Sequence, residues 1–375
     1  MSQFVVDTIL TKDDLCNLEK DFKFLLESML RGDHIVFYGR RNMGKTSLIQ
    51  AKVIPAFRSQ RKQAVVVFVD FMGVQSEEET ILRVKLALER SLVEAYPTHS
   101  RLKKMASTIL GLRPTIQIDG QSGELKLTLE GNRGSHVSSL HEIFDEVKNI
   151  SNETPILLVF DEFQDIINIK GMDAKIRSEL QKLPAKLPTI MMGSKKHLLA
   201  RLFSLPKAPL AGWGIDYEIS TIQPSEFVPY LNLRFKPFRR RIDLDITSYL
   251  CDMMESIPEA IIYVCIALCR PSPRNQISRR DVDAAIEKTV SLRRGRYEES
   301  LQLFSKSERQ FLKVIAKQQP VESPTGKDFI HESKLSSAGI LKIIKKMEDY
   351  ALLYRTKNGI SLSDPLLARY IRSHW

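Results

Sequence analysis

The sequence predicts an α/β core built on a parallel sheet, followed by an all-helical segment and a C-terminal domain of three helices and a β-hairpin. Continuous apolar runs alternate with helical patterns in the first half of the chain. These runs lie at His34–Tyr38, Ala64–Asp70, Pro155–Asp161 and Thr189–Gly193. Runs of this kind are typical of strands that are buried on both faces of a parallel sheet. From Pro224 onward helical spacing replaces them, and the Asn-Gly pair at 358–359 predicts a hairpin near the end.

Composition indicates a folded chain of two or three domains. The 375 residues are 43% hydrophobic and 27% charged, which excludes collagen-like, low-complexity and globally disordered proteins. Its 56 Lys and Arg against 45 Asp and Glu give a net charge of +11, which permits a nucleic acid or an anionic ligand. We expect a cytoplasmic protein that contacts no membrane, because the chain shows no secretory signal and its longest apolar stretch, Ile257–Cys269, is too short to span one.

Three domains are predicted from these patterns. The α/β core occupies residues 1–222, a helical segment occupies 223–292, and the C-terminal domain occupies 293–375. Within the core, two alternating runs separated by a Gly-rich turn predict an inserted hairpin at 110–135. We interpret it as decorating an edge of the sheet, with a partner-binding device as the alternative, and assign it no function. The basic run Arg293–Arg296 is interpreted as the linker to the last domain.

A phosphate-binding motif follows the first apolar run. Residues 39–46 read GRRNMGKT, which matches GxxxxGK[ST] between a strand and a helix, the context that this motif requires. Backbone N–H groups of such a loop receive phosphate oxygens, its lysine neutralises the β- and γ-phosphates, and its threonine ligates Mg²⁺. The sequence therefore predicts ATP or ADP with Mg²⁺. The predicted nucleotide-binding residues of the loop and the helix that it opens are Gly39, Arg40, Arg41, Asn42, Met43, Gly44, Lys45, Thr46 and Ser47.

Two further strand ends complete the predicted chemistry. The apolar strand at 156–161 ends on Asp161 and Glu162, a Walker B pattern in which Asp161 holds Mg²⁺ and Glu162 polarises the attacking water. Ser194 follows the strand that we expect between the other two, so it is a candidate to sense the γ-phosphate or to position water. A plain loop serine is the competing interpretation.

The C-terminal pattern of three helices and a hairpin is that of a winged helix. Residues 290–375 carry 16 Lys and Arg against 9 Asp and Glu. The candidate DNA contacts are Lys342, Lys345 and Lys346 on the presumed recognition helix, with Arg355 and Lys357 on the wing. A protein-contact or autoinhibitory role stays open, because Glu348 and Asp349 follow closely and the helix shows no cluster of side chains for reading bases.

The motifs resemble those of the archaeal-type ATPases, a branch of the STAND switches next to the AAA+ class. The likeness spans nearly the whole chain, and its most specific parts are the loop at 39–47, the strand end at 160–164, Met192–Ser194 and Ser363–Leu367. It implies an ATPase core, a helical lid, a C-terminal winged helix, and domain packing that depends on nucleotide. It also implies that Pro258 lies against the nucleotide, although Ser256-Ile257-Pro258 replaces the usual Gly-x-Pro.

One departure from the family bears on the rate of hydrolysis. The usual Gly-Arg pair after the sensor strand is replaced by Gly212-Trp213-Gly214, so the arginine expected near the γ-phosphate is missing, with Arg201 as a substitute candidate. Such an arginine is worth about 10³ to 10⁵ in rate. We therefore expect a slow ATPase that acts as a nucleotide-controlled switch. The alternatives are an ATP-dependent DNA-binding protein resembling archaeal origin-recognition initiators and a nucleotide-binding scaffold without turnover, so the partner is either double-stranded DNA or another protein.

Overall fold

A computed structural model describes residues 4–16, 18–96, 112–118, 125–131, 139–270, 274–356 and 358–375. The chain divides into two compact units. The sheet unit comprises Lys20–Tyr38 and Lys52–Glu218, and the lid unit comprises Met1–Glu19, Gly39–Ala51 and Ile219–Trp375. The division into three domains at residues 222 and 292 stays a prediction.

A five-stranded parallel sheet organises the sheet unit. In chain order the strands of this unit are β1 His34–Tyr38, β2 Val65–Asp70, β3 Leu112–Ile118, β4 Leu125–Gly131, β5 Ile156–Asp161, β6 Thr189–Gly193 and β7 Ile215–Glu218. The sheet has the order β2-β5-β6-β1-β7, and each neighbouring pair is parallel. Strand β6 therefore lies between β5 and β1, as predicted. Because all five strands are parallel, their carboxyl ends share one edge of the sheet.

The inserted hairpin forms, but it does not extend the parallel sheet. Strands β3 and β4 pair antiparallel over their full lengths, from Leu112 opposite Gly131 to Ile118 opposite Leu125. They constitute a separate two-stranded sheet, so the interpretation as an edge of the main sheet is wrong. The backbone bonds between strands of this segment are those that β3 and β4 make with each other. The other residues of the predicted 110–135 segment lie outside the described residues.

Helices accompany the strands of the sheet unit. Their bounds are α1 Glu19–Arg31, α2 Lys45–Leu48, α3 Ile54–Gln60, α4 Glu77–Ala95, α5 Leu140–Ser151, α6 Met172–Leu180 and α7 Lys196–Phe203, with a π-helical turn at Ile49–Val53 and a 3₁₀ turn at Phe163–Asn168. Of these, α2 follows Gly44 and belongs to the lid unit. The core of the sheet unit includes the buried apolar residues of β2 and β5 and a group of packed phenylalanine rings at 71, 160 and 163.

The lid unit consists mainly of helices. It contains α8 Pro224–Phe235, a 3₁₀ turn at Lys236–Phe238, α9 Leu244–Met253, α10 Pro258–Leu268, α11 Arg279–Gln302, α12 Lys306–Gln318, α13 Lys327–Ser333, α14 Ser337–Asp349, β8 Leu353–Thr356, β9 Gly359–Leu362 and α15 Pro365–His374. Helices α12 to α14 and the β8–β9 hairpin form the predicted winged helix. Val321 and Ile360 exchange two backbone hydrogen bonds of 2.9 Å, which adds a bridge to the wing. Across the described ranges, no helix has the length and apolar character that a membrane span requires.

The interpretation of Arg293–Arg296 as a linker is wrong. These residues lie within α11, a continuous helix of 24 residues that starts with a capping box at Ser278 and Asp281. The guanidinium carbon of Arg293 lies 3.6 Å from the centre of the Tyr263 ring on α10, which ties this part of the helix to its neighbour. An isolated glycine such as Gly295 costs a helix only about 1 kcal/mol, so it does not interrupt α11.

Burial of one carboxyl group on α5 predicts a pH-dependent stability. Glu146 is only 8% exposed, and its Oε1 atom has no hydrogen-bond partner. Burial raises the pKa of Glu146 to about 7, above its ordinary value of 4.5. In the unfolded chain this carboxyl loses its proton at lower pH than in the folded protein, so the free energy of unfolding falls as the pH rises from about 4.5 to about 7. Above pH 7 the free energy of unfolding is lower than at pH 4 by ~3 kcal/mol from this group.

We therefore expect Glu146→Gln to stabilise the protein at pH 8 by about 1 to 3 kcal/mol and to have little effect at pH 4, where the carboxyl is protonated in both states. Urea unfolding of both proteins at the two pH values measures the difference. An equal change in the free energy of unfolding at pH 4 and pH 8 would contradict the assignment.

Candidate functional site

The loop Gly39–Thr46 starts at the residue after β1 and ends in the first turn of α2. Its backbone turns twice through the left-handed region, at Asn42 with φ of 65° and at Gly44 with φ of 86°. Glycine adopts this conformation without steric penalty, and asparagine tolerates it better than most residues. At Gly39 a Cβ atom would lie 2.3 Å from Cγ2 of Ile219, so a side chain there would force this neighbour to move. The loop geometry thus explains its two motif glycines.

The side chain of Lys45 holds the two sides of the loop together. It is buried, and its Nζ atom donates to the carbonyl oxygens of Gly39 and Arg40 at 2.9 Å each. A buried ammonium group requires acceptors, because burial of an unpaired charge is costly. Lys45 therefore links α2 directly to the backbone of Arg40.

Arg40 connects the loop to the lid and to the winged helix. Its side chain, 12% exposed, makes an ion pair with Glu255 at 2.8 Å. It also donates to the carbonyl oxygens of Leu362 and Ser363, both at 3.2 Å, just where β9 ends. The guanidinium carbon lies 5.1 Å from the centre of the Tyr354 ring on β8. The loop arginine predicted to bind nucleotide thus directs its side chain to residues of the lid and the wing.

Gln319 at the end of α12 closes this arrangement into a ring of hydrogen bonds. Its amide nitrogen donates to Glu255 Oε1 at 3.0 Å, and its amide oxygen accepts from the Leu362 backbone nitrogen at 3.1 Å. We call Arg40, Glu255, Gln319 and Leu362 the latch. Sequence reasoning missed it because its members lie far apart in the chain and only the fold brings them together.

A cavity of about 360 Å³ lies beside the loop within the lid unit. Asn42 donates to the carboxylate of Glu259 on α10, and both side chains line the cavity. Burial raises the pKa of Glu259 above its usual range. The other charged residues of the lining are Asp7, Arg41, Arg293, Arg296 and Asp364. The cavity thus joins residues of the loop, the lid helices and the winged helix.

The other residues predicted to bind nucleotide lie in the loop, in α2 or at the start of α10. Met43 is buried and Thr46 is half-buried in the first turn of α2. The hydroxyl of Ser47 accepts a hydrogen bond from the Leu10 backbone nitrogen at 3.1 Å, so it anchors the N-terminal segment. Pro258 is half-buried and is the first residue of α10.

In the sheet unit, the end of β5 presents the two predicted carboxylates. Asp161 is buried, and its Oδ1 atom accepts from the Glu162 backbone nitrogen at 2.9 Å. Glu162 takes a left-handed conformation with φ of 46°, which turns the chain sharply out of the strand. Ser194, at the end of the neighbouring strand β6, donates to Glu162 Oε2 at 2.9 Å. The structure therefore brings the predicted base and the predicted sensor into direct contact.

Gln164 is a residue of this group that sequence reasoning missed. Its side chain is fully buried, and its amide nitrogen also donates to Glu162 Oε2. A Cβ atom at Gly193 would lie 1.8 Å from Gln164 Oε1, so the glycine that ends β6 makes room for this amide. The signal in the sequence was the Asp-Glu-Phe-Gln run itself, in which Gln164 lies two residues after the predicted base.

The other polar residues after β6 belong to structural ion pairs. Lys195 pairs with Asp165 at 3.2 Å, and Lys196 pairs with Glu218 at 2.9 Å. Asp165 also accepts from the Gly73 backbone nitrogen at 2.9 Å. Arg201, the substitute candidate for the missing arginine, is exposed on α7.

The candidate DNA contacts on the winged helix differ in their surroundings. Lys342 and Lys345 are exposed on α14. Lys346 pairs with Glu308 at 2.7 Å, and Arg355 pairs with Glu348, so both cations are partly neutralised within the domain. Lys357 lies outside the described residues. Two of the five predicted cations are therefore engaged with acidic side chains of the winged helix itself.

Comparisons with known proteins agree with this architecture. Residues 295–373 match a family described as "Probable winged helix domain". No curated protein sequence matches the chain. Among solved structures, the Walker-type ATPase of Pyrococcus abyssi is 19% identical with a TM-score of 0.66, and the match covers 98% of this chain and 99% of that one.

The ORC2 protein of Aeropyrum pernix is a second similar structure. Its ADPNP–ADP complexes are 15% identical with a TM-score of 0.53, and the match covers 95% of this chain and 91% of that one. Its ADP form is 14% identical with a TM-score of 0.53, covering 99% and 97%. At these identities the likeness shows the fold alone. The predicted fold class is confirmed: a P-loop NTPase fold with a five-stranded parallel-sheet core, lid helices and a C-terminal winged helix. The resemblance to archaeal ATPases is confirmed at the level of the fold.

Proposed function

We propose that the protein binds ATP and Mg²⁺ at the loop Gly39–Thr46 and that the bound nucleotide controls the position of the winged helix. The observation that carries this proposal is the chain of contacts from Lys45 through Arg40 to the wing. Lys45 Nζ donates to the Arg40 carbonyl, and the Arg40 side chain donates to the carbonyls of Leu362 and Ser363. The residue that a P-loop uses for phosphate is thus in contact with the residue that holds the wing.

Nucleotide binding rests on the chemistry of the loop and of the strand ends. Backbone N–H groups at the start of α2 and the buried ammonium group of Lys45 suit phosphate oxygens. The Thr46 hydroxyl and the Asp161 carboxylate are hard oxygen donors of the kind that Mg²⁺ prefers, so this donor set fits the metal. Bound Mg²⁺ neutralises charge on the β- and γ-phosphates. Thr46 and Asp161 are the residues we assign to hold it.

Hydrolysis is assigned to Glu162 as the general base. Both Ser194 and Gln164 donate to its Oε2 atom, which fixes the carboxylate in one orientation. A fixed carboxylate can accept a proton from water that attacks the γ-phosphate. The sequence lacks the usual arginine after the sensor strand, and an arginine of that kind is worth about 10³ to 10⁵ in rate. We therefore infer slow turnover, as a switch requires.

Binding of a triphosphate competes for Lys45. Its ammonium group has three donors, and phosphate oxygens carry more negative charge than the carbonyl oxygens of Gly39 and Arg40. When Lys45 turns to the phosphates, its bonds to these carbonyls weaken and the backbone of Arg40 is released. The Arg40 side chain is then held less firmly against the other residues of the latch. ATP is therefore expected to loosen the wing, and the nucleotide-free loop to hold it.

The Arg40 side chain itself tests this coupling. Arg40→Ala removes one ion pair and two hydrogen bonds to carbonyl oxygens, and hydrogen bonds to charged groups are worth about 1.5 to 3 kcal/mol. We expect trypsin to cleave the wing about 10 to 100 times faster in this variant, while ATP affinity changes less than fivefold. The neighbouring substitution Arg41→Ala is the matched control, because Arg41 is exposed and makes no ion pair within the described residues. Equal cleavage of Arg40→Ala and wild type would rule out the latch.

A further inference from the structure

Two short segments of the lid, whose backbones are bonded to each other, carry a group of exposed cations. The chain contains no acidic residue between 235 and 242 or between 274 and 280, although these two stretches hold seven of the ten Lys and Arg residues of the helical segment 223–292. The exposed members that make no ion pair within the described residues are Lys236, Arg239, Arg241, Arg279 and Arg280. We call these five residues the arginine face.

Backbone hydrogen bonds fix the two segments side by side. Arg241 donates its N–H to the Asn275 carbonyl at 2.8 Å, and the Arg241 carbonyl accepts from the Ile277 N–H at 2.8 Å. The side chain of Asn232 on α8 makes two further bonds of 2.9 Å to the backbone of Ile242. The backbone of the α8–α9 connection is therefore joined to the segment that precedes α11, whose first two residues are Arg279 and Arg280.

Three of the acidic side chains that flank these segments have other partners. Asp243 caps α9 and accepts from Gln276, and Asp281 caps α11 and pairs with the buried Arg240 at 3.6 Å. Asp283 accepts from the Tyr249 hydroxyl at 2.6 Å. Asp245, in the first turn of α9, is also exposed and makes no ion pair with these cations. Within the described residues, the arginine face therefore has no carboxylate partner.

Local structure does not explain why arginine occupies position 239. Arg239 ends the 3₁₀ turn in the left-handed region with φ of 53°, where glycine or asparagine would avoid about 1 kcal/mol of strain. Its side chain is exposed. Four of the five cations of the arginine face are arginines, whose planar groups present paired N–H donors that match phosphate geometry.

We propose that the arginine face binds the phosphate backbone of duplex DNA. A polyanion with regularly spaced phosphates complements a group of exposed cations that make no ion pair with a carboxylate within the described residues. The same compact unit contains the winged helix, a fold used to contact duplex DNA, with Lys342 and Lys345 exposed on α14. This surface lies on the lid, apart from the loop that we assign to ATP, so it adds a binding function to the proposed switch.

The test is binding of the full chain to a fluorescein-labelled 30-base-pair duplex of mixed sequence, followed by anisotropy at several salt concentrations. We compare wild type with a variant in which Arg239, Arg241, Arg279 and Arg280 are changed to Gln. Each lost phosphate contact lowers the slope of log K against log salt by about 0.9. We expect the slope to fall by about 2 to 4 and the affinity at low salt to fall at least about 30-fold.

A second variant tests whether a loss of DNA binding comes from the arginine face or only from the lower net charge of the protein. Changing Lys20, Lys23, Lys62 and Arg90 to Gln removes four exposed cations of the sheet unit. This control therefore has the same net charge as the arginine variant. The proposal expects this control to bind the duplex within threefold of wild type. Equal losses in both variants, no binding by wild type, or tighter binding to a single strand of the same length would each overturn it. Binding to anionic phospholipid vesicles that depends on the four arginines, without duplex binding, would also overturn it.

A separate measurement checks that the arginine variant is folded. Its melting temperature and its affinity for ATP should match those of wild type, because none of the four arginines contacts the loop. A variant that retains ATP binding and loses DNA binding supports the arginine face whatever the fate of the proposed switch. Loss of both would be examined with the single change Arg241→Gln, for which the proposal expects at least a threefold loss of duplex affinity and unchanged ATP binding.

Discussion

Lys45→Ala is expected to weaken ATP binding by at least about 100-fold. The buried ammonium group is assigned to the β- and γ-phosphates, and a hydrogen bond to a charged group is worth about 1.5 to 3 kcal/mol. Loss of two such bonds corresponds to about 3 to 6 kcal/mol, which is two to four orders of magnitude in affinity. Titration with a fluorescent ATP analogue in the presence of Mg²⁺ measures the effect.

The same lysine also bonds to the carbonyls of Gly39 and Arg40, so the variant needs a structural control. Its melting temperature reports whether the fold persists. Lys52→Ala is the matched substitution of a second buried lysine, which lies 5.9 Å from the Phe22 ring, outside the phosphate loop. We expect that variant to bind ATP within threefold of wild type. An Lys45→Ala protein that is folded and binds ATP as wild type does would refute the assignment of the loop.

Glu162→Gln is expected to lower the rate of ATP hydrolysis by about 10²- to 10³-fold, because general base catalysis contributes about 10² to 10⁴. The amide keeps an oxygen that can accept from Ser194 but cannot take a proton from water. ATP affinity should remain within threefold of wild type, since the phosphate contacts are assigned to the loop. Phosphate release under saturating ATP measures the rate.

The exposed carboxylate of Glu153 serves as the control, since it follows α5 and makes no ion pair within the described residues. Glu153→Gln should hydrolyse ATP at the wild-type rate. A Glu162→Gln protein with the same turnover as wild type would show that this carboxylate is not the base. No hydrolysis by any of the three proteins would support the scaffold without turnover.

The parallel core was accessible from the sequence because its signals are local. Strands such as β5 consist of one continuous apolar run, and a strand buried on both faces allows few polar substitutions. The placement of β6 beside β5, and hence of Ser194 near Glu162, also followed from the motif order. The winged helix was predicted for the same reason, since each of its helices carries its own apolar spacing and its hairpin has an Asn-Gly turn.

The contacts between distant residues of the site could not be predicted from local sequence patterns. The latch joins Arg40 to Glu255, Gln319 and Leu362, and no local pattern indicates a contact between residues more than 200 positions apart. The role of Gln164 depends on the space left by Gly193, which only the paired strands create. Arg293–Arg296 resembled a linker because of charge and glycine, whereas packing of Arg293 on Tyr263 keeps that segment helical.

The most direct test of the nucleotide-controlled latch is hydrogen–deuterium exchange of the peptide spanning residues 359–367, measured with no nucleotide, with ADP, and with a non-hydrolysable ATP analogue. In wild type we expect the ATP analogue to speed exchange at least about 10-fold relative to the nucleotide-free protein. In Arg40→Ala exchange should be fast in all three conditions. Saturation of wild type with the ATP analogue and unchanged exchange of this peptide would contradict the claim that nucleotide controls the winged helix.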